Sequence, residues 1–239
     1  MNIHTMSDLS LEAPFETRRL STMRRGIGRR LTEAKQTIPH FYLSIDLDID
    51  PVLQARARIN SSLANEKVSV NDFVVRAAAL ALIKVPAVNA QIVEDELRLF
   101  SRSDVAVAVA IKDGLVAPVV RGACGKELLT LSREIRSLAD RANRNKLGPD
   151  DYKGGTFTVS NLGSHGVQAF AAIVNPPHAA ILALGRAEPR AVVRDGAVVP
   201  ATILTATLSA DHRIIDGVVG ARFLVAIREM LDAPEGVLT

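Results

Sequence analysis

The sequence predicts one α/β domain, a single mixed sheet with helices packed on it, and three observations carry that prediction. The chain has 239 residues, 48% hydrophobic and 23% charged, enough to bury a sizeable core and too apolar for dominant disorder. Helical and strand periodicities are interspersed without a regular βαβ beat. No internal repeat, low-complexity tract or linker divides the chain into two units.

Residues 1–17 lack periodicity and read as an extended arm; the domain proper spans 18–239. A helix is expected over 21–37, with Met23, Ile27, Leu31 and Ala34 on one stripe and arginines on the other, closed by Pro39. Phe41, Leu43, Ile45, Leu47 and Ile49 then alternate with Tyr42, Ser44, Asp46, Asp48 and Asp50, a half-buried strand with one wet face. Asp50-Pro51 reads as an N-cap and first turn, opening a helix to about Asn65. Another runs from near Ser69 to Val85; its stretch 77–83 has no polar face and should be deeply buried. Residues 104–111 and 115–120 form strands around a Lys112-Asp113-Gly114 turn. Leu128, Leu131, Ile135 and Leu138 mark an amphipathic helix ending near Gly148-Pro149. Strands follow at 156–160, 179–185, 191–194, 197–200 and 202–210, then a helix over 218–231.

Composition excludes several classes. The longest apolar runs have seven residues, far short of the roughly 20 a membrane span needs. The single cysteine, Cys124, rules out an intrachain disulfide and a cysteine-based zinc site, and no metal is expected. The first ten residues lack a basic segment followed by an apolar one, so no secretory signal is visible and a reducing compartment is the default. A net charge of +3 with few aromatics argues against a nucleic-acid binder. The charge is uneven: seven Lys/Arg and one acid, Glu33, lie between Arg18 and Lys35. That stretch is a solvated helix face, a docking surface or a contact for phosphates.

Two segments carry chemistry. In Asp211-His212-Arg213-Ile214-Ile215-Asp216-Gly217 a strand ends, a histidine stands at its tip, and an Asp-Gly turn feeds a helix. His212 is either a catalytic group or a satisfied loop histidine, and Asp216 caps the helix, serves the site, or both. In Gly155-Thr156-Phe157-Thr158-Val159-Ser160-Asn161-Leu162-Gly163 a strand runs into a glycine-punctuated loop, with Ser160 and Asn161 at the junction. No phosphate-loop or nucleophile-elbow pattern surrounds Ser160.

Together with Arg24-Arg25, Arg29-Arg30, Ile38-Pro39-His40, Val70-Asn71-Asp72-Phe73, Gly114-Leu115-Val116-Ala117-Pro118-Val119 and Asn175-Pro176-Pro177, these segments resemble the catalytic domain of dihydrolipoyl acyltransferases. These are the core components of 2-oxoacid dehydrogenase complexes; the resemblance covers about residues 14–239 and is nearest the acetyl-transferring, pyruvate type. It implies a chloramphenicol-acetyltransferase-like fold, assembled as homotrimers or trimer-based cages with active sites between subunits. It implies acyl transfer between the thiol of dihydrolipoamide and coenzyme A, with His212 as the base. A thiol of pKa about 8.5 is mostly protonated at neutral pH, and an imidazole suits its deprotonation. Ser160 would donate to the developing oxyanion, and Asp216 would hold the His212 loop through a buried pairing with an arginine. Asn161 and, more weakly, Arg121 are the expected contacts for coenzyme A. His165 stands where an apolar residue is expected in an acetyl-type loop, and His4, His40 and His178 receive no role.

The lipoyl and subunit-binding domains usual in the family are not seen in this sequence. The lipoyl group is therefore expected in trans, from a lipoyl domain of another chain, beside other 2-oxoacid dehydrogenase components. No membrane or nucleic-acid partner is expected, and the compartment is the cytoplasm, or the mitochondrial matrix in a eukaryote. The alternatives are a coenzyme A-dependent acyltransferase for a free small molecule, and a structural core subunit.

Overall fold

A computed structural model describes residues 13, 15–111 and 114–239. Most of the predicted arm and the Lys112-Asp113 turn lie outside them, and Phe15 to Thr17 are exposed without regular structure. The helices are α1 (Thr22–Thr37), α2 (Asp50–Ser62), α3 (Val70–Lys84), α4 (Leu128–Asn143), α5 (Gly217–Asp232) and the short α6 (Glu235–Leu238). The strands are β1 (His40–Asp48), β2 (Ala90–Val93), β3 (Glu96–Leu99), β4 (Val105–Val107), β5 (Val109–Ile111), β6 (Gly114–Val116), β7 (Val119–Val120), β8 (Phe157–Asn161), β9 (Ala180–Leu184), β10 (Glu188–Arg194) and β11 (Ala197–Asp211).

Seven strands form one sheet in the order β1-β11-β9-β8-β4-β7, with β10 paired to the first half of β11. β8 is parallel to β9 and β4 and the other pairs are antiparallel, so the sheet is mixed as expected. The side chains of Leu47, Phe157, Val159, Leu182, Leu184, Leu204 and Leu208 join the main core with α3 and α5. Within it Phe157 meets Phe223 of α5 edge to face at 5.3 Å. α3 is entered through a reciprocal cap between Ser69 and Asp72, and Ala77, Ala78, Ala79, Ala81 and Leu82 are fully buried; Ile83 at its end stays exposed. On the opposite face α1 lies against the sheet through a smaller cluster of Ala34, Ile38, Val174 and Ile181.

Several boundaries differ from the sequence reading. Asp50 is the first residue of α2, after Ile49 as N-cap, and its carboxylate accepts from the Thr202 backbone at 3.2 Å instead of capping the helix. α2 stops at Ser62 and α4 at Asn143. Residues 104–111 split into β4 and β5, and the sequence reading passed over the β2–β3 hairpin, whose strands have four residues each. The two strands expected at 197–200 and 202–210 are one 15-residue strand. Pro200 is tolerated because β1 pairs β11 only from Ile203 onward, which leaves one edge of β11 open at the proline.

An ion-pair ladder ties β10 across β11 to β1. Arg190 reaches Asp46 at 3.2 Å and Thr205 at 3.0 Å, Arg194 bonds Asp48 and Asp50, and Arg186 with Arg190 holds Glu188. Glu188 is kept below its ordinary 4.5 by hydrogen bonds from those two guanidinium groups, and Asp50 below 3.8 by Thr202 first and Arg194 next. Carboxylates held low in the folded state stabilise it above their unfolded pKa and lose that contribution as pH falls through the folded value. The urea midpoint should therefore fall in two stages. It falls from about pH 6.5 downward, because the unfolded chain takes up a proton that the buried His178, held down to about 4, does not. It falls further below about pH 4.5 as the ladder protonates, with Glu188→Gln giving a shallower decline in that lower range. A midpoint that rises on acidification would contradict the ladder.

At the end of β9, Gly185 meets the loop after β8 so closely that a Cβ there would stand 1.9 Å from the Gln168 carbonyl oxygen. Gly185→Ala should lower the unfolding free energy by about 3 kcal/mol in chemical denaturation; a loss within about 0.5 kcal/mol would mean that the loop gives way freely.

Candidate active site

β8 shows both sides of the sheet to different surroundings. Phe157 and Val159 enter the core, so by alternation Thr158 and Ser160 face the space between the sheet and α1. That space is a cavity of about 770 Å³. Met23, Ile27 and Leu31 of α1 form one wall, Leu115 to Val119 another, and the segment around Asn175 and Pro177 a third. Ser160 is 7% exposed, and its hydroxyl has no hydrogen-bond partner among the described residues. A neighbouring cavity of about 510 Å³, lined by Glu33, Asp211 and Arg213, shares Arg30, Pro177 and His178 with the first. Arg30 donates to the Pro176 carbonyl, which fixes α1 to the segment between the two cavities.

His212 follows the last residue of β11. Its backbone N–H donates to the Pro39 carbonyl at 3.0 Å, and its exposed ring packs on Phe41, centroids 4.6 Å apart at 48°. The Arg213 guanidinium beside it is taken up by Asp211, whose carboxylate accepts at 2.9 and 2.6 Å and raises the arginine above its ordinary pKa. Asp216 is the N-cap of α5, accepting from Val219 N–H at 2.8 Å; it is exposed and has no ion pair among the described residues.

One chain does not bring Ser160 and His212 together. Ser160 is level with Ala183 of β9 and Thr207 of β11, two strands away, and His212 lies five residues further along β11. Strand spacing and rise then put the two backbones roughly 19 Å apart.

The other expected residues brace the site's edges. Asn161 is exposed; its carbonyl oxygen accepts from Gly163 N–H at 2.8 Å and its amide donates to Asn71 at 3.1 Å. Arg121 donates to the Asp150 and Lys153 carbonyls at 2.7 and 2.9 Å, which folds the turn carrying Tyr152, Gly154 and Gly155 onto the cavity rim. Of the Arg18–Lys35 stretch, Arg30 alone among the basic residues lines the larger cavity. Lys35 instead bonds the Tyr42 hydroxyl at 2.5 Å, and Arg18 pairs with Glu16. His165 sits in an exposed turn and does not line the cavity. Sequence reasoning missed His178, which is 6% exposed and bonds Thr158 Oγ1 through Nδ1 at 2.7 Å. Its one signal was its place directly after the Asn175-Pro176-Pro177 motif.

Among the described residues no group of three or more His, Cys, Asp or Glu is placed to hold a metal, and no helix is long and apolar enough to cross a membrane.

A mixed sheet with helices on one face and a serine-lined cavity on the other has the fold of chloramphenicol acetyltransferase, which superposes with a TM-score of 0.58 over 85% of this chain and 94% of its own at 15% identity. Within that fold the chain belongs to a narrower family, the 2-oxoacid dehydrogenases acyltransferases (catalytic domain), whose family model matches residues 12–239. The dihydrolipoyllysine-residue acetyltransferase component of the pyruvate dehydrogenase complex from Rickettsia conorii is 46% identical over 217 residues, 90% of this chain and 53% of that protein. The chain thus spans about half the length of the curated relatives it matches. The cubic core of the pyruvate dehydrogenase multienzyme complex has a TM-score of 0.91 at 29% identity, covering 100% of both chains. Dihydrolipoamide acetyltransferase from Azotobacter vinelandii matches with the same values, and its study concerns the role of a serine, a histidine and an asparagine in the catalytic mechanism. There the histidine lies 52 positions after the serine and the asparagine four further on, the spacing of Ser160, His212 and Asp216 here.

The observed cap makes a prediction. Asp216→Ala should cost about 1 kcal/mol of stability, and Asp216→Asn only a fraction of that, because asparagine also caps. Equal losses in thermal unfolding would separate Asp216 from the cap.

Proposed function

We propose that this chain transfers an acetyl group between the thiol of dihydrolipoamide and that of coenzyme A, as the core acyltransferase of a pyruvate dehydrogenase-type complex. The observation that carries the reading is a cavity-lining Ser160 whose hydroxyl has no partner among the described residues, 52 residues before a histidine at a strand tip, the spacing of the serine and histidine studied in the Azotobacter enzyme.

His212 takes the proton from the coenzyme A thiol. The thiolate adds to the thioester carbonyl of the acetylated dihydrolipoyl arm, and Ser160 O–H donates to the oxygen as it gains charge. Collapse breaks the carbon–sulfur bond to the dihydrolipoyl group, whose sulfur recovers the proton from the imidazolium. Asp216 acts as a positioning residue, fixing the end of the His212 loop through the cap of α5. Asn161 and Arg121 belong to the same proposal as residues that shape the rim where coenzyme A enters.

The roughly 19 Å between Ser160 and His212 within a chain gives the reading its quaternary form. The histidine of one copy works with the serine of the next, in trimers or a cage built from them, and the acetyl donor is a lipoyl domain of another chain.

His212→Ala and Ser160→Ala should each lower kcat, by about 10²–10⁴ and 10²–10³ respectively, with assembly intact. Mixed assemblies made by refolding the two variants together should recover about a quarter of wild-type activity, since some interfaces then pair an intact histidine with an intact serine. No recovery in well-formed mixed assemblies would place both groups in one chain's site. Wild-type transfer from acetyl-CoA to a hydroxyl or amine acceptor, but not to dihydrolipoamide, would replace this reading with that of a small-molecule acyltransferase.

A further inference from the structure

His178 has no part in the reaction above, yet it is one of the most buried polar groups at the cavity wall. Burial first, and the Arg30 charge second, push its pKa down to about 4, so it is a neutral imidazole with a single N–H at neutral pH. The Nε2 edge of the ring lies against Gly155, close enough that a Cβ there would be 2.7 Å from Nε2, and the Gly155 backbone favours a proton on that side. Nδ1 is then left with its lone pair. The 2.7 Å contact to Thr158 is a hydrogen bond donated by the threonine hydroxyl.

This fixes what Thr158 can offer. Its one hydroxyl proton points at His178, and Thr158 Oγ1 has no other partner among the described residues. Only lone pairs remain for the cavity that Thr158 lines. Thr158 is on the same strand and the same face as Ser160, two residues and so about 6.6 Å away. A fixed acceptor thus stands a short, set distance from the proposed oxyanion donor, and it suits a substrate whose N–H lies a few ångströms from its reacting sulfur, the hydrogen bonds to Thr158 and Ser160 taking up the rest of the span.

We infer that Thr158, held by His178, accepts a hydrogen bond from the first amide N–H of the pantetheine arm of coenzyme A; the inference rests on the function proposed above. That amide nitrogen is two methylenes from the thiol. A dihydrolipoyl arm presents only hydrocarbon beside its sulfurs, so Thr158 distinguishes the two thiol substrates, and His178 is the positioning residue that turns its hydroxyl.

The test compares two acceptors of the acetyl group from S-acetyldihydrolipoamide: pantetheine, which carries the amide, and 1-propanethiol, which carries no hydrogen-bond donor beside its thiol. The readout is the ratio of their kcat/KM values in each variant. In Thr158→Val the ratio should fall about tenfold relative to wild type, and in Thr158→Ser it should hold. His178→Leu should lower it as Thr158→Val does, while His178→Gln, whose amide oxygen can accept from Thr158, should retain it. A loss of general packing would slow both thiols alike and leave the ratio unchanged, and an unchanged ratio in Thr158→Val overturns the inference. A ratio that falls in Thr158→Val but holds in His178→Leu removes His178 from it. If the wild-type chain acetylates neither thiol, the proposed function itself fails and the inference with it.

Discussion

The two-sidedness of β8 is the constraint on which the site depends. Phe157 and Val159 have no stable place except the core beneath α3 and α5, and strand alternation then forces Thr158 and Ser160 toward α1. Because β8 lies between β9 and β4, its register cannot slip without exposing both apolar side chains and burying both hydroxyls against hydrocarbon. The face that carries Thr158 and Ser160 is thus fixed by the same burial that stabilises the domain. α1 completes the arrangement by packing its apolar contact on the sheet through Ala34, with Ile38 just beyond its end, while the cavity opens over Ser160.

The sheet that places Ser160 also separates it from His212. β11 pairs antiparallel with β9 and delivers the histidine past the start of β1, beyond the line of hydroxyls that runs from Ser160 to Thr207 and Ser44. Pro39 and Phe41 hold the histidine there from the start of β1, and Asp211 takes up the charge of Arg213. In the function proposed above, each of these two places is half of a site, completed by a second copy of the chain.

Much of this was legible in the residues. The alternation over 41–50, the apolar run of α3 and the histidine at the end of a strand all depend on local pattern, and the local pattern carried them. The misreadings arose where distant parts of the chain decide. Pro200 breaks a strand on local evidence, but an open edge beside β10 accommodates it. Asp50 has the composition of a cap, but Thr202, 152 residues later, claims its carboxylate. Asn161 and Arg121 stand near the site in sequence and spend their hydrogen bonds on its frame. His178 had only its place after Asn175-Pro176-Pro177 to mark it, because its burial and its bond to Thr158 exist only once the 175–178 segment is folded.

The prolines of the β10–β11 hairpin bear on solubility. Beyond the end of β1 this hairpin stands clear of the main sheet, with Val193 and Val198 exposed near its tip. A ribbon of that kind is a template for strand addition by any passing chain. Pro189 on one strand and Pro200 on the other each remove a backbone donor from it, and Arg190 and Arg194 add fixed charge along the same strand. The hairpin is thereby guarded against indiscriminate pairing of strands, a safeguard that matters most while chains are concentrated during synthesis and folding.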